Sequence, residues 1–398
     1  MTRRSWRAAL TTVALALALL AAPAAAQTVA APAQLEALRK ECIAAALATQ
    51  QRERAILALG HAVGLLGRDA DGRQRDLADS HAEQERLLGT IELLQRDPPN
   101  RVAFQSEPPI DRIRGKLLID GMIPALRDAA HALSAEIQRI AELRKEEAAK
   151  QTELLSDHRA LAAERQHLAQ LVAQRRDLSD RILPAEAGSA APFAKLGREA
   201  GDIGDLIKRS DAAIDRRNGE LLARARAALP KAKAGTVTEA AADPTRPPEL
   251  RAFNPPQSAL VMPVSGSITR GFGDASAGAA PRPGLSFTTA AGGEAVAPFD
   301  GQITYAGSFR DFGVILIIRH AGGYHSLLYG LGRLDVRPGQ WVLAGEPVGA
   351  TPDAGDKASD SLLYFELRRD GRPVDPQPWL ATRDERHDPQ SGDQRMRE

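Results

Sequence analysis

The stretch Ser361-Leu-Leu-Tyr-Phe-Glu-Leu-Arg368 decides the fold of the C-terminal part of this chain. We interpret it as one β-strand. Side chains alternate between the two faces of a strand, so Tyr364, Glu366 and Arg368 should share one face. The phenylalanine and leucine between them would face the opposite side.

A second stretch, Val314-Ile-Leu-Ile-Ile318, has the pattern of a buried strand. Residues 302–306 and 326–329 have the pattern of shorter strands bounded by glycines. We therefore predict an all-β domain over residues 257–381. The residues that follow, 382–398, are polar and charged, and we expect a disordered tail there.

Further short motifs occur in a fixed order around these strands. They are Ala297-Pro-Phe-Asp-Gly301, Tyr305-Ala-Gly307, Gly313-Val-Ile-Leu-Ile-Ile-Arg-His320, Val336-Arg-Pro-Gly-Gln340, Ala344-Gly-Glu-Pro-Val-Gly349 and Val374-Asp-Pro376. Their order and spacing over residues 260–380 resemble the LytM/lysostaphin-like peptidoglycan endopeptidases. The resemblance implies a LytM-like domain of the duplicated hybrid motif type.

The resemblance also identifies the positions at which that family holds zinc and its catalytic histidines. The H-x-G-x-D ligands fall on Arg282 and Ser286, the two histidines of H-x-H-F-E on Leu362 and Tyr364, and the histidine of Y-A-H-L on Leu331. Catalytic zinc needs three nitrogen, sulfur or carboxylate ligands and an open position for water. These five positions are lost-ligand positions, so we expect no catalytic residue, no metal and no other cofactor.

The strands that held the metal would still form a concave groove. We predict that it is lined by Arg282, Phe312, Ile315, Tyr329, Leu331, Tyr364 and Arg368. Tyrosine and arginine are enriched at interface hot spots, so the groove suits protein recognition. The alternative is that its aromatic residues merely fill the space left by the metal.

The remaining polar candidates in the β domain are weaker. His320 and His325 flank one turn, but no third ligand stands at a matching position. Glu366 matches the glutamate of H-x-H-F-E, and we expect it to be structural.

Composition limits the remaining possibilities. A chain of 398 residues has room for two or three structural units. Its formal charge of +1 gives no indication of a nucleic-acid partner. Aromatic residues make up only 4%, and the abundance of alanine, leucine, arginine and glutamate suits long helices. Cys42 is the only cysteine, so no intrachain disulfide can form.

The N-terminus has the pattern of a signal peptide over residues 1–26. Three arginines precede the apolar run Ala8–Leu20, and Ala24-Ala25-Ala26 forms an A-x-A-like cleavage site. The prediction is export to the periplasm with cleavage near Ala26. An uncleaved membrane anchor is the alternative, although the apolar run is short.

Residues 27–184 show coiled-coil periodicity. One seven-residue stripe runs through Leu35, Leu38, Cys42, Ala45, Thr49, Arg52, Ile56, Leu59, Val63, Leu66, Ala70, Arg73, Leu77, Ser80, Gln84, Leu87, Ile91 and Leu94, of which 13 are apolar. A second helix should begin near Met122 or Pro124, with a stripe through Leu126, Ala130, Leu133, Ile137, Ile140, Leu154, Leu161, Leu168 and Val172. We predict an antiparallel hairpin, with a parallel homodimer as the alternative.

The predicted hairpin tip spans residues 97–123. Pro98-Pro99 and Pro108-Pro109 should stop the helix there. A dense apolar cluster follows, formed by Ile113, Leu117, Leu118, Ile119 and Met122 with the isoleucines at 110 and 123. The coiled coil offers nothing to cover this cluster, so it is either packed on itself or a docking tip for a partner.

Residues 193–229 form a third helical segment, and residues 230–256 a proline-rich linker. Glycines at 197, 201, 204 and 219 weaken the helix propensity of this segment. A weak helix beside a folded domain is a candidate regulatory helix that restrains the β domain. The alternative is a simple return arm of the bundle.

The combination of signal peptide, coiled-coil hairpin and degenerate LytM-like domain resembles the EnvC-type murein hydrolase activators. The resemblance implies no peptidoglycan cleavage by the chain itself. It implies a β domain that binds and activates periplasmic N-acetylmuramoyl-L-alanine amidases, and a coiled coil that docks on an FtsEX-like ABC-type membrane complex. It places the protein at the septum, in cell division and daughter-cell separation, with peptidoglycan as a further candidate partner.

Two other function classes remain open. One is an active zinc metalloendopeptidase with unusual ligands that cleaves peptidoglycan cross-links. The other is a structural periplasmic coiled-coil adaptor whose β domain only binds glycan. Metal content distinguishes the first from an activator, and stimulation of an amidase distinguishes the second.

Overall fold

The structure is a computed structural model that describes residues 24–96, 109–183, 190–228, 238, 242–253, 260–274, 283–353 and 361–380. Four α-helices precede the strands: α1 (Ala24–Arg96), α2 (Pro109–Ile182), α3 (Ala190–Glu199) and α4 (Ile203–Ala227). Among the described helices, none combines the length and the apolar character needed to cross a membrane. The predicted signal peptide lies largely in residues 1–23, outside the described residues.

The chain divides into two compact units. One contains residues 55–160, and the other contains the chain up to residue 54 together with the chain from residue 161 onward. Both α1 and α2 contribute to each unit, and in each unit they contact one another. In the first, Arg73 donates to Glu136 at 3.0 Å and Arg144 pairs with Asp71. In the second, Arg52 donates to Glu164 at 2.8 Å. Partner numbers fall along α2 as they rise along α1, which is the antiparallel pairing that the periodicity predicted.

Burial along α1 is consistent with the predicted stripe. Cys42 and Ala70 are fully buried, and the other stripe positions between 56 and 77 are buried or half-buried. Along α2 the prediction was partly wrong, since Ala130 and Ile137 are exposed. The half-buried positions there include Glu136 and Arg144, whose charges pair across the two helices.

The predicted start of the second helix near Met122 or Pro124 is wrong, because α2 begins at Pro109. Proline is well tolerated in the first turn of a helix, where its missing N–H has no intrahelical partner. Pro109 therefore begins α2, and Pro124 lies inside it. The apolar cluster predicted at the tip falls on the first turns of α2, and the structure does not describe the side chains of these residues. Residues 97–108 also lie outside the described residues.

The β domain is built from eleven described strands. They are β1 (Gly266–Arg270), β2 (Leu285–Thr289), β3 (Glu294–Val296), β4 (Gly301–Ser308), β5 (Val314–Arg319), β6 (Tyr324–Tyr329), β7 (Arg333–Leu334), β8 (Trp341–Val342), β9 (Pro347–Ala350), β10 (Ser361–Arg369) and β11 (Arg372–Val374). The larger sheet has the order β1-β2-β10-β6-β5-β4-β8, with β11 beside β10, and the smaller sheet has the order β3-β9-β7. The paired strands are antiparallel, as the all-β pattern predicted.

The main core of the β domain lies on one face of the larger sheet. In β10, Phe365 and Leu367 are fully buried in this core, which confirms the predicted alternation. Phe253, which we assigned to the linker, also belongs to the core, where its ring lies 5.0 Å from that of Phe299. The packed domain therefore begins before residue 257, because Phe253 of the predicted linker is part of its core. The tail at 382–398 lies outside the described residues.

The opposite face of the larger sheet is partly covered by α3 and α4. Their buried side chains include Phe193, Leu206, Ile207 and Ile214, which pack against strands β4 to β6. Two helices broken at Gly201 replace the single predicted helix over 193–229. Each large apolar side chain stabilises packing by about 1.5–3 kcal/mol when buried, whereas a glycine costs about 1 kcal/mol in a helix. The free energy gained by burying these side chains therefore outweighs the weak helix propensity of residues 193–229, from which we predicted a loosely held helix.

The starting turns of α1 and the final turns of α2 pack on the β domain. Glu346 is completely buried there and pairs with Arg175 of α2, with Arg39 of α1 at 3.9 Å. The other oxygen of Glu346 accepts the backbone N–H of Leu343 at 2.9 Å. Arg39 also donates to the carbonyl of Thr245 at 2.6 Å. We call these two arginines and Glu346 the junction triad. It ties both long helices to one carboxylate of the β domain.

We predict that Glu346→Gln destabilises the protein by about 3–5 kcal/mol, because the substitution leaves the buried guanidinium group of Arg175 without its counter-ion. Urea unfolding of the variant and wild type would measure the loss. Asp177→Asn is the matched control, since Asp177 forms an exposed ion pair with Arg181 on α2 and should change stability by at most about 0.5 kcal/mol. A loss of stability in Glu346→Gln no larger than in this control would contradict the prediction.

Candidate functional site

One row of residues crosses the larger sheet on the face opposite the main core. Ile315 of β5 pairs with Tyr329 of β6, which pairs with Tyr364 of β10. Tyr364 in turn pairs with Ser286 of β2, and Ser286 pairs with Arg270 at the edge strand. The row therefore brings predicted groove residues and lost-ligand positions together in one line.

Helices α3 and α4 divide this row into a covered and an uncovered part. Ile315 is fully buried in the cluster that includes Phe193 and Ile207. Tyr329 is half-buried and packs against the edge of the same cluster. The prediction that Ile315 lines an open groove is wrong, because helices α3 and α4 bury its side chain.

The uncovered part of the face is aromatic. The rings of Tyr329 and Tyr364 are stacked with centroids 4.6 Å apart, and Phe312 meets Tyr329 edge-on at 5.7 Å. Phe312 is 45% exposed and Leu362, two residues before Tyr364 on β10, is 58% exposed. We call Phe312, Tyr329, Leu362 and Tyr364 the aromatic face. Solvent reaches large apolar side chains here, which is the usual property of a binding surface.

The turn that presents Phe312 also contacts the helical cover. Arg310 has a positive φ of 42°, a conformation unfavourable for a residue with a side chain. Its guanidinium donates two hydrogen bonds to the carbonyl of Ala200, at 3.1 and 2.6 Å, where the chain leaves α3. The position of Phe312 is therefore coupled to the position of the covering helices.

A buried carboxylate on the same face of β10 supports the aromatic face. Glu366 is fully buried and accepts a hydrogen bond from the Tyr329 hydroxyl at 2.6 Å and from Arg368 Nε at 2.6 Å. Burial, followed by the negative charge of Glu366, raises the pKa of Tyr329, which therefore remains a hydrogen-bond donor. Arg368 is thus the counter-ion of a buried acid rather than a freely available groove residue.

The four lost-ligand positions that the structure describes do not bring together the donors of a metal site. Ser286 and Tyr364 face one another across β2 and β10, but Leu362 is exposed and Leu331 is buried in the main core. Leu331 therefore does not line the groove, contrary to our prediction. Arg282 lies outside the described residues. A hydroxyl, a phenol and two leucines are not the donor set that zinc requires, so these residues do not fit the metal.

Both histidines of the β domain are held by protein contacts. His320 is buried between the Asp300 carbonyl and the Ser326 hydroxyl, each 2.8 Å from a ring nitrogen. Burial lowers its pKa to about 4, so the ring is neutral at physiological pH. His325 contacts Asp211 of α4 at 2.9 Å. Within the described ranges, no group of three histidine, cysteine or acidic side chains is arranged to hold a metal ion.

Sequence reasoning missed the importance of Leu362 as an exposed contact residue, because we considered it only as a lost ligand. Its neighbour Leu363 is fully buried, so the alternation along β10 already places Leu362 beside Tyr364 on the outer face. The turn conformation of Arg310 had no signal in the sequence.

Residues 280–376 match the family model described as Peptidase family M23. The chain is 27% identical over 217 residues to the murein hydrolase activator EnvC of Escherichia coli, covering 54% of this chain and 46% of the relative. It is 31% identical over 166 residues to the murein hydrolase activator NlpD of Salmonella dublin, covering 39% and 42%. The chain thus spans less than half the length of these relatives.

Among solved structures, lysostaphin is 21% identical to this chain. The similarity covers 32% of this chain and 55% of lysostaphin, with a TM-score of 0.28. Residues 280–376 are therefore similar to the M23 peptidase family, in a chain similar to EnvC and NlpD.

We predict that the purified protein contains no stoichiometric zinc, because the residues at Ser286, Leu331, Leu362 and Tyr364 cannot complete a ligand set. Elemental analysis after exhaustive dialysis checks this. One zinc per chain, lost on His320→Ala, would contradict the prediction and would favour an active endopeptidase with unusual ligands.

Proposed function

We propose that this chain is a non-catalytic activator of peptidoglycan amidases that acts in the periplasm during cell division. One observation carries the proposal: the M23-type sheet has aromatic and apolar side chains where a peptidase would hold zinc. Similarity to two murein hydrolase activators supports the same class. In this proposal the β domain cleaves nothing and instead binds an N-acetylmuramoyl-L-alanine amidase.

The aromatic face is the proposed contact surface for the amidase. Stacked tyrosines lose little conformational entropy on binding, and aromatic side chains are frequent at interface hot spots. Leu362, on the same face of β10 as Tyr364, and Phe312, in contact with Tyr329, would add apolar area. Because Glu366 accepts a hydrogen bond from the Tyr329 hydroxyl, this surface should be ordered before a partner binds.

For the helical part we propose docking on an FtsEX-like ABC-type membrane complex through the apolar segment at 110–123. The support is the resemblance to EnvC-type activators and the concentration of apolar residues in the first turns of α2. The proposed route to the periplasm is the signal peptide at 1–26, with septal peptidoglycan as a further ligand. A structural adaptor would share the helices but would not stimulate an amidase.

We predict that Tyr364→Ala and Leu362→Ala each weaken amidase binding by about 1–3 kcal/mol, which is typical of hot-spot residues. Calorimetry with a purified periplasmic amidase and dye release from labelled peptidoglycan would measure binding and activation. Leu155→Ala is the matched control, because Leu155 is 61% exposed on α2 and is not part of the aromatic face.

Wild-type stimulation by both face variants would rule out the aromatic face as the contact surface. Arg368→Ala, which the sequence alone would suggest as a further test, is unsuitable. It would leave the buried Glu366 carboxylate without its counter-ion, so it should destabilise the domain as well as change the face.

We further propose that α3 and α4 restrain activation by covering part of the face. Helices α3 and α4 cover the sheet as far as Tyr329, which pairs with Tyr364. A large partner bound at Tyr364 would therefore contact the helices next to Tyr329. His325–Asp211 at 2.9 Å and Arg319–Asp215 at 2.8 Å add polar contacts between α4 and the sheet. A partner that binds the uncovered form more tightly would shift the population toward it.

We predict that Ile214→Asp increases amidase stimulation by the full-length chain several-fold, because a buried charge on α4 weakens its packing on the sheet. Ala212→Asp, at an exposed position of the same helix, is the matched control. Unchanged stimulation in Ile214→Asp, with α4 shown to be released by hydrogen exchange, would mean that the helices are only a spacer.

A further inference from the structure

A buried acid without a counter-ion of its own lies where the start of α1 packs on the β domain. Glu294 begins β3 and is 3% exposed, and its Oε1 has no hydrogen-bond partner among the described residues. Its backbone N–H donates to Oε1 of Glu53 on α1 at 3.1 Å. Its backbone carbonyl accepts from Gln50, also on α1, at 3.2 Å. The backbone of Glu294 therefore holds α1, while its carboxyl group is desolvated.

The arginines near Glu294 are already paired with other acids. Arg165 of α2 donates to Glu53 Oε1 at 2.8 Å, and Arg333 of β7 donates through Nη2 to Asp335 at 2.9 Å. The same Nη2 lies 3.9 Å from Glu294 Oε2, which is the outer limit of an ion pair. Three acids of the described structure thus share two arginines here. We call Glu53, Glu294 and Asp335 the acid cluster.

The charged and titratable groups that face Glu294 come from four segments of the chain. They are Cys42 and Glu53 on α1, Arg165 on α2, Arg333 and Asp335 in and after β7, and Asp353 after β9. The Cys42 thiol carries no charge near neutral pH, because burial raises its pKa to about 11. Asp353 is exposed, so water and salt screen its charge. Glu53 and Asp335 are therefore the acids whose charge an ionised Glu294 would meet.

Desolvation keeps the carboxyl group of Glu294 protonated at neutral pH. Burial, followed by the charge of Asp335, raises the pKa of Glu294 from 4.5 to about 8, and the charge of Arg333 opposes this only in part. Burial also raises the pKa of Glu53. Because the folded chain binds the proton of Glu294 more tightly than the unfolded chain does, this proton stabilises the fold fully below about pH 4.5. The stabilisation is lost as the pH rises through about 8.

We propose that the acid cluster makes the contact between the long helices and the β domain sensitive to pH. With Glu294 protonated, Glu53 accepts the N–H of β3 and pairs with Arg165 without a second negative charge beside it. With Glu294 ionised, like charges lie close together away from water, and their repulsion weakens the contact of α1 and α2 with β3. This inference concerns helix docking, and it does not depend on the proposed activation of an amidase.

The test is hydrogen exchange of the full chain between pH 5.5 and 9, measured by mass spectrometry and corrected for the intrinsic pH dependence of exchange. Peptides from residues 35–54 and 161–182 should lose protection as the pH rises through about 8, relative to peptides from β5 and β6. Urea unfolding at the same pH values is the second measurement. Glu294→Gln imitates the protonated acid. The ratio of the unfolding constants of wild type and this variant should therefore rise about tenfold per pH unit between pH 5.5 and 7, for one proton released on unfolding.

Asp335→Asn is the second variant, because the charge of Asp335 helps to raise the pKa of Glu294. It should keep the pH dependence of exchange but move its midpoint to lower pH, a shift that a merely structural change would not produce. Asp353→Asn, at an exposed acid of the same cavity, is the matched control and should keep the wild-type midpoint. Protection that stays constant over this pH range in wild type, or that falls equally in Glu294→Gln, would overturn the proposal. If Glu294→Gln does not fold, an unchanged midpoint in Asp335→Asn would overturn it.

Discussion

The buried carboxylate of Glu346 is the constraint on which the arrangement of this chain depends. A single acid of the β domain receives Arg39 from the start of α1 and Arg175 from the end of α2. Removing such ions from water costs several kcal/mol, which only close pairing and further hydrogen bonds offset. Close pairing with Glu346 therefore requires the start of α1 and the end of α2 to lie against the domain. Apolar packing also occurs in this interface, for example between Cys42 and Val296. Apolar contacts alone would fix the position of the helices on the domain less strictly, because they are not directional.

The contacts among the side chains on the outer face of the larger sheet limit what this face can do. In a zinc peptidase the outer face must leave polar ligands open to water and substrate. Here Tyr364 stacks on Tyr329. Both carboxylate oxygens of Glu366 accept hydrogen bonds, one from the Tyr329 hydroxyl and the other from Arg368. Polar groups that could have reached a substrate are instead bonded to one another. The exposed groups beside them include Phe312 and Leu362, whose apolar surface suits recognition of a protein.

Much of the fold could be predicted from the sequence, because motif order and side-chain alternation are local or nearly local signals. Phe365 and Leu367 show this, since their burial follows from period two alone. The errors arose where distant parts of the chain meet. Ile315 has the pattern of a sheet residue on either face, and only the packing of α4 decides that it is covered. Phe253 lies among prolines, yet it is recruited into a core that its own neighbours do not form.

The covering helices illustrate how tertiary packing reverses an argument from propensity. Gly197 weakens α3 as a helix, but a Cβ at this position would come within 2.0 Å of the Tyr305 hydroxyl. Glycine at position 197 therefore allows α3 to approach β4. The residue that lowers the helix propensity of α3 is required by its packing on the sheet. Helices α3 and α4 are accordingly held by shape, by apolar burial, by an ion pair to Arg319 and by a polar contact with His325. Displacing them requires a partner that compensates for all of these, so spontaneous opening should be rare and release should require binding energy supplied from outside the domain.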